Sequence, residues 1–419
     1  MNSSTIIKIL FGLAIVILLS IGGGLIWYTL FYEPVSIPTE TASTSPEDLF
    51  PVGTEVGGTV ATTSSATSTL GLAVTGGGVR ARELLSNPIA GFGIFGTSAT
   101  NTTIIAVDRS TGHIYRIHHA SGTVEKIANT TMVGVQEAYI GETTSMYYII
   151  SRYEANSGSQ THIQAIKKNI VGVTASSTTG SGSLLTSTVV SIAVSPKRDR
   201  YATVVKGSTG GSIVYITDFA TGKKREIYRS PLTEWNILWP SEGTLTLETK
   251  GSSRVKGTLL ALNAQTGIAT RIIGNTAGLT SLPSPTMNYL FSSESREEGG
   301  INLFRYTVKS GDKTPLSFAV FPYWCTWAPK TDGVIYCSAP DSLSAVNLPD
   351  AWYRGELSFD TKIWKFNVKT GDSEIVWNPN LTGTVKTEAR NLTVNSSETL
   401  LFYINNRTNT LWSVRLTDV

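Results

Sequence analysis

The chain has 419 residues, of which 16% are charged, and its formal net charge is +3. This length exceeds that of a usual single compact core, so more than one region is expected. The small net charge and the lack of a basic stripe argue against a nucleic-acid partner. Abundant Gly, Ser and Thr, together with alternating apolar and polar positions, predict an all-β fold.

The first feature along the chain is an apolar segment at residues 6–32, whose one charged residue before Glu33 is Lys8. About 20 apolar residues are enough for a helix to span a bilayer. We therefore predict a transmembrane signal-anchor helix at 6–32, with residues 1–5 in the cytoplasm and the rest of the chain outside, in the periplasm or at the cell surface. A cleaved signal peptide is the alternative, although the apolar run is long and no Ala-x-Ala site follows it.

Residues 33–79 form the next segment, which is rich in Thr, Ser, Gly and Pro. Such a composition buries too little apolar surface to offset the entropy of ordering the chain. It predicts a flexible linker between the membrane and a folded domain at 80–419.

A repeat marks the start of that domain. Residues 82–88 (Arg-Glu-Leu-Leu-Ser-Asn-Pro) correspond to residues 225–231 (Arg-Glu-Ile-Tyr-Arg-Ser-Pro), which close one four-strand unit and lead into the next. No unit precedes the early copy, and the last segment, residues 409–419, stops one strand short of a full unit. We therefore predict that the N-terminal strand completes the last unit and closes a ring.

Between these ends the strands recur in groups of four. The third and fourth strands are joined by turns that carry Gly, which supplies the positive φ that such turns require; these turns contain Gly122, Gly222, Gly267, Gly311 and Gly371. The first two strands form a second recurring hairpin, for example Ile-Ala-Val-Ser-Pro at 192–196 followed by Tyr-Ala-Thr-Val-Val at 201–205. The count is seven units, which predicts a seven-bladed β-propeller.

The Ser-Pro-Lys-x-x-x-Tyr-Ala hairpin at 195–202 resembles the repeat of TolB-like, WD40-like bacterial propellers. The resemblance covers all seven units in spacing and units 3 to 6 in motif. It implies an extracytoplasmic protein that presents a face of loops to its partners.

The chain's two cysteines, Cys325 and Cys337, lie on the first and second strands of unit 6. They are equidistant from the turn between those strands, so they should face each other across the ladder and form a disulfide. Two unrelated thiols are the alternative. A zinc site is not expected, because no histidine is nearby at the required spacing.

The longest loop of its kind, residues 339–361, follows the second strand of unit 6 and contains Trp352, Tyr353 and Arg354. Long loops on rigid scaffolds concentrate binding residues, and these three residue types anchor interfaces. They are therefore candidate partner-binding residues. The alternative is that Trp352 and Tyr353 pack the loop onto its own unit.

A final set of candidates lies where the innermost strands enter the face that carries this loop. The aligned positions are Phe92, Gln136, Ser191, Trp235, Thr280, Trp324 and Arg390. One of the seven is charged, so no catalytic or metal-binding ring is predicted and no cofactor is expected. Trp235, Trp324 and Arg390 join the candidate partner-binding set.

The sequence thus favours a membrane-anchored, non-enzymatic binding or scaffold module for a protein or a cell-envelope polymer. The alternative is a propeller hydrolase or lyase that acts on a small envelope or sugar substrate. Its polar centre would comprise Glu234, Glu388 and Arg390.

Overall fold

The computed structural model describes residues 80–128, 131–155, 158–169, 182–185, 188–318, 320–343, 347–379 and 386–416. The predicted transmembrane helix at 6–32 and linker at 33–79 lie outside the described residues. No helix among the described residues is long and apolar enough to span a membrane.

The described chain forms seven four-stranded antiparallel sheets, which we number as blades 1 to 7. Blade 1 comprises β2 (Ile89–Phe95), β3 (Thr103–Asp108), β4 (Ile114–His118) and β5 (Val124–Ala128). Blade 2 comprises β6 (Val135–Glu142), β7 (Met146–Ala155), β8 (Gly158–Lys167) and β9 (Gly182–Leu184). Blade 3 comprises β10 (Val189–Val194), β11 (Arg200–Lys206), β12 (Ser212–Asp218) and β13 (Lys224–Ser230). Blade 4 comprises β14 (Asn236–Ser241), β15 (Thr244–Glu248), β16 (Lys256–Asn263) and β17 (Ala269–Ala277).

The remaining three blades follow the same order. Blade 5 comprises β18 (Thr280–Pro283), β19 (Tyr289–Ser295), β20 (Ile301–Thr307) and β21 (Lys313–Leu316). Blade 6 comprises β22 (Cys325–Trp327), preceded by a short 3-10 helix (Pro322–Trp324), then β23 (Val334–Ala339), β24 (Lys362–Asn367) and β25 (Ser373–Trp377). Blade 7 comprises β26 (Ala389–Val394), β27 (Leu400–Asn405), β28 (Thr410–Arg415) and, from the start of the propeller, β1 (Ala81–Leu85).

Ring closure by the first strand is confirmed. β1 pairs with β28 in antiparallel register, with Arg82 opposite Ser413 and Leu85 opposite Leu411. Leu84 and Leu85 are buried in a core that blades 7 and 1 share. Strands from the two ends of the propeller therefore hold blade 7 together.

The core lies between neighbouring blades, because a single sheet buries neither of its faces alone. The second strands show this most clearly, since every residue of β23 and of β27 is buried. The turn glycines also behave as predicted: all five have a positive φ, between 67° and 85°.

The disulfide prediction is confirmed as well. Cys325 lies directly opposite Cys337 in the β22–β23 ladder, and their sulfur atoms are 2.08 Å apart. Both residues belong to the core between blades 5 and 6. The bond ties β22 to β23, the strand that leads into the candidate binding loop.

We expect loss of this bond to destabilise the propeller. The cysteines are separated by 12 positions, and closing a loop of about 15 residues contributes roughly 3 kcal/mol through the unfolded chain. The Cys325→Ser/Cys337→Ser variant should therefore unfold at a lower urea concentration than the oxidised wild type. Reductant should lower the midpoint of the wild type and leave that of the variant unchanged; equal midpoints for both proteins without reductant would contradict the expectation.

Candidate binding face

The candidate residues gather at one end of the blades, which we call the upper face. In each blade the first strand begins at this end and the second strand ends there, because the strands alternate in direction. The connections between blades and the loops after the second strands therefore share this face, and the loop at 340–361 is one of them.

That loop rests on neighbouring blades. It contains one short helix, α1 (Asp350–Tyr353). The Asp350 carboxylate accepts a hydrogen bond from the Ser253 backbone N–H of blade 4 at 2.6 Å. The Ser295 hydroxyl at the end of β19 in blade 5 donates to the Leu348 carbonyl oxygen. The loop of blade 6 is thus held in place by blades 4 and 5.

Trp352 anchors this loop from below. Its ring lies 5.5 Å from the ring of Phe321 and 5.5 Å from that of Trp324. Trp352 is partly buried against the core of blade 6, whereas Arg354 at the end of α1 is exposed and pairs with Glu356 at 2.5 Å. Tyr353 is also partly buried, with its ring centre 5.2 Å from that of Trp352. The packing alternative thus describes Trp352 and Tyr353, and Arg354 is the exposed one of the three candidate residues.

Arg390 joins the same aromatic cluster. Its guanidinium carbon lies 3.9 Å from the centre of the Trp324 ring and 5.1 Å from that of Trp352, which is cation–π geometry. The guanidinium also forms an ion pair with Glu388, whose side chain is 3% exposed. Ser358, in the loop, donates a second hydrogen bond to Glu388 at 2.9 Å. Burial lowers the pKa of Arg390 to about 10, against the opposing effect of Glu388.

Glu388 and Arg390 therefore have a structural partner in each other, as buried charges require. Glu234, the third residue of the predicted polar centre, is exposed and lines a separate cleft. No group of three or more His, Cys, Asp or Glu side chains in the described ranges is placed to hold a metal ion.

The candidate contacts Trp235 and Trp324 need a correction. Their side chains are 3% and 0% exposed, so neither indole is accessible to a partner in this structure. Trp235 donates from its indole nitrogen to Ser230 at 3.0 Å and packs between blades 3 and 4. Both residues lie at the entrances of their strands, as their positions in the repeat predict. Whether an aromatic side chain at an entrance points outward or into the core depends on the neighbouring blade.

A buried carboxyl group that the sequence analysis missed lies at the end of β15. Glu248 is 4% exposed and accepts hydrogen bonds from the hydroxyls of Ser281 and Tyr323. Asn236 donates to the same Tyr323 hydroxyl at 3.3 Å. Burial raises the pKa of Glu248 to about 8, although both hydroxyl bonds act to lower it. One signal was present in the sequence: this carboxylate ends an otherwise uncharged second strand.

Beside this cluster the upper face has an open cleft of about 460 Å³ across blades 2, 3 and 4. Its charged lining consists of Arg152, Lys206, Lys250 and Glu234. Arg152 is paired with Glu137 at 2.9 Å. The Lys250 ammonium lies 5.1 Å from the centre of the Tyr353 ring, so the cleft is continuous with the loop.

No protein-family model matches the chain, and no curated protein matches it in sequence. Its fold is similar to that of the Neurospora crassa Pan2 WD40 domain, with 9% identity over 80% of this chain and 92% of that one and a TM-score of 0.49. It is also similar to TolB from Acinetobacter baumannii, with 10% identity over 78% and 79% of the two chains and a TM-score of 0.41.

An acylaminoacyl peptidase is a third structure with a similar region, at 8% identity and a TM-score of 0.42. That match includes 64% of this chain, which spans 42% of the peptidase. The fold assignment follows from the seven sheets and their closure. The chain is an all-β, seven-bladed β-propeller, the fold that its TolB-like and WD40-like repeat pattern predicted.

Proposed function

We propose that this protein is a binding or scaffold propeller that engages an acidic segment of a partner protein on its upper face. The contact would combine the cleft lined by Lys206 and Lys250 with the loop that carries Tyr353 and Arg354. We call these four residues the upper contact surface. The apolar segment at 6–32 supports a further part of the proposal, namely display of the propeller outside a membrane.

The observation that carries the proposal is the arrangement of charge around the cleft. Lys206 and Lys250 are both exposed, and neither forms an ion pair with another described residue. Glu234 is the single carboxylate among the described lining residues, against Lys206, Lys250 and the Arg152 that is paired with Glu137. Such a surface attracts acidic groups and steers their association.

The contacts that anchor the loop support the same proposal. Asp350 accepts a hydrogen bond from blade 4, and Trp352 packs against the core of blade 6. Ser358 donates a hydrogen bond to Glu388 of the Glu388–Arg390 pair. A preformed surface loses less conformational freedom on binding than a mobile one. Since Glu388 and Arg390 are engaged in holding the loop, we assign them a supporting role. The hydrolase or lyase alternative with Glu234, Glu388 and Arg390 stays a prediction.

We expect charge reversal in the cleft to abolish binding of an acidic probe. The full chain should bind a fluorescent glutamate-rich peptide in an anisotropy titration, and Lys206→Glu/Lys250→Glu should weaken this binding by at least about tenfold, since two attractive contacts become repulsive. The affinity of the wild type should also fall as salt is raised.

Lys223→Glu/Lys224→Glu is the matched control, because it reverses the same number of charges on two exposed lysines at the opposite end of blade 3. It should bind the peptide as the wild type does. If the control and the cleft variant lost peptide affinity equally, the effect would arise from overall charge, and the assignment of the cleft would be refuted. The absence of any saturable binding by the wild type would refute an acidic partner.

A further inference from the structure

A second charged cavity lies at the seam of the ring, away from the upper contact surface. β1 and β28 pair so that Arg82 is opposite Ser413, and the Arg415 N–H donates to the Arg80 carbonyl oxygen at 2.7 Å. Side chains two positions apart share one face of a strand. Arg80, Arg82, Ser413 and Arg415 therefore project from the same face of the closing strand pair.

Blade 1 supplies the other wall. The Arg82 guanidinium donates to the His119 carbonyl oxygen, and His119 Nε2 lies 3.1 Å from the Ser413 hydroxyl oxygen. The His119 ring also packs edge-on against Phe402 of blade 7, with 5.6 Å between ring centres. The space between these side chains is a cavity of about 380 Å³, whose wall includes Thr100.

The charges in this cavity are all of one sign. Its described lining contains three arginines and a histidine and no acidic side chain. Burial and the neighbouring Arg415 lower the pKa of Arg82. Burial, Arg82 and Arg415 lower the pKa of His119 to about 4, so this imidazole is neutral at pH 7.

Like charges that face each other across a strand pair are destabilising. Here Arg415, on the last strand of the propeller, is the diagonal neighbour of Arg82 on the first strand, and long side chains reach across that diagonal. Their repulsion therefore acts on the strand pair that closes the ring. An anion between them would turn this repulsion into two attractive contacts and would contact blades 7 and 1 at once.

We propose that this cavity binds a phosphate group, either free inorganic phosphate or a phosphomonoester on a larger molecule. The guanidinium groups of Arg82 and Arg415 would hold the phosphate oxygens, because the planar donor pair of arginine matches that geometry. The Ser413 hydroxyl and the neutral imidazole of His119 would supply further hydrogen bonds. Occupancy of the site would stabilise the closed ring, since the ligand binds the folded chain alone.

Isothermal titration of the full chain with inorganic phosphate, and separately with glycerol phosphate, tests this proposal. At matched ionic strength we expect saturable binding with one site per chain. Arg415→Gln should weaken that binding at least tenfold, and Arg82→Gln should do the same. Binding of both ligands would show that the cavity admits a phosphomonoester, whereas binding of phosphate alone would identify the free ion as the occupant.

Thermal unfolding provides the control. Phosphate should raise the unfolding temperature of the wild type above that in chloride, and this gain should shrink in Arg415→Gln. Arg271→Gln is the matched variant, since Arg271 is an exposed arginine on the outer strand of blade 4; it should keep the full gain. An equal gain in all three proteins would be a general salt effect and, like the absence of saturable heat from the wild type, would overturn the proposal.

Each variant is also compared with the wild type in chloride alone. Arg415→Gln should fold there at least as stably as the wild type, because it removes a repulsion. If it does not fold, Arg415→Lys keeps the charge but lacks the planar donor pair, and unchanged phosphate affinity in that variant would count against the proposal. Failure of the acidic-peptide experiment on the upper face would not affect any of these results.

Discussion

Deletion of residues 80–86 should open the ring and abolish cooperative unfolding of the propeller. β1 supplies the outer strand of blade 7, and its pairing with β28 joins the start of the domain to its end. Without it, β28 becomes an unpaired edge, and the core around Leu411 is exposed to water. A broad, low-temperature transition and rapid proteolysis of blade 7 are the expected observations.

The contribution of the side chains can be measured separately. Leu84 and Leu85 are 5% and 4% exposed, and their alanine variants should each cost about 2–5 kcal/mol of unfolding free energy. Glu83→Gln is the matched change on the same strand, because Glu83 is exposed, and it should have little effect. If the two leucine variants were as stable as Glu83→Gln, the strand would not hold the ring.

Strand complementation gives the sharpest measurement. A synthetic peptide with the sequence of residues 80–88, added to the deletion variant, should restore the wild-type transition. A peptide with aspartate at positions 84 and 85 should not, because it cannot fill the shared core. Deletion of residues 34–76 should leave the transition unchanged; a large loss of stability in that variant would show that the domain extends beyond the closing strand.

Ionisation of Glu248 should lower the stability of the propeller as the pH rises from about 4.5 to about 8, and the net stability should fall above about pH 6.5. Below that pH the effect of His119, whose pKa is lowered from 6.5 to about 4, opposes the loss. Burial raises the pKa of this carboxyl group from 4.5 to about 8, so in this range the folded chain keeps a proton that the unfolded chain releases. Each pH unit within the window then costs the folded state up to about 1.4 kcal/mol. Below pH 4.5 Glu248 is protonated in both the folded and the unfolded chain, so it no longer lowers the free energy of unfolding.

Glu248→Gln keeps the shape of the protonated side chain and removes its titration. The variant should match the wild type at about pH 4, exceed it by several kcal/mol at pH 8, and show a smaller pH dependence of its urea midpoint. The nearby hydroxyls of Tyr323 and Tyr353 do not contribute in this window, because burial raises the pKa of each. Glu234→Gln, a change of an exposed carboxylate on the same face, should keep the wild-type profile; identical pH profiles for Glu248→Gln and the wild type would disprove the assignment.

The fold was predictable because its signals are local and repeated. Gly222 and its counterparts mark the turns by their positive φ, and alternation marks the strands between them. The repeat at residues 82–88 identified the closing strand, because a fourth strand without its own blade needs a partner elsewhere. Cys325 and Cys337 could be paired on the same basis, since they lie at equal distances from one hairpin turn.

The candidate site was predictable only in part. The sequence located the loop at 339–361 and placed Arg390 at a strand entrance, and the structure brings both to the upper face. It did not indicate that Trp324 would be buried beneath Trp352. Spacing determines where a strand begins, whereas the exposure of its side chains depends on the loops that cover it.

By itself, then, the sequence determined the number of blades, the strand that closes the ring and the disulfide, because hydrogen-bonding periodicity and turn geometry are properties of short segments. Only the tertiary structure decided which charges meet. Arg82 and Arg415 lie near opposite ends of the propeller sequence and become neighbours when the ring closes. Glu248 acquires its raised pKa when blades 5 and 6 remove its carboxyl group from water. Electrostatic and desolvation energies depend on distances through space, and those distances are set by the closed ring.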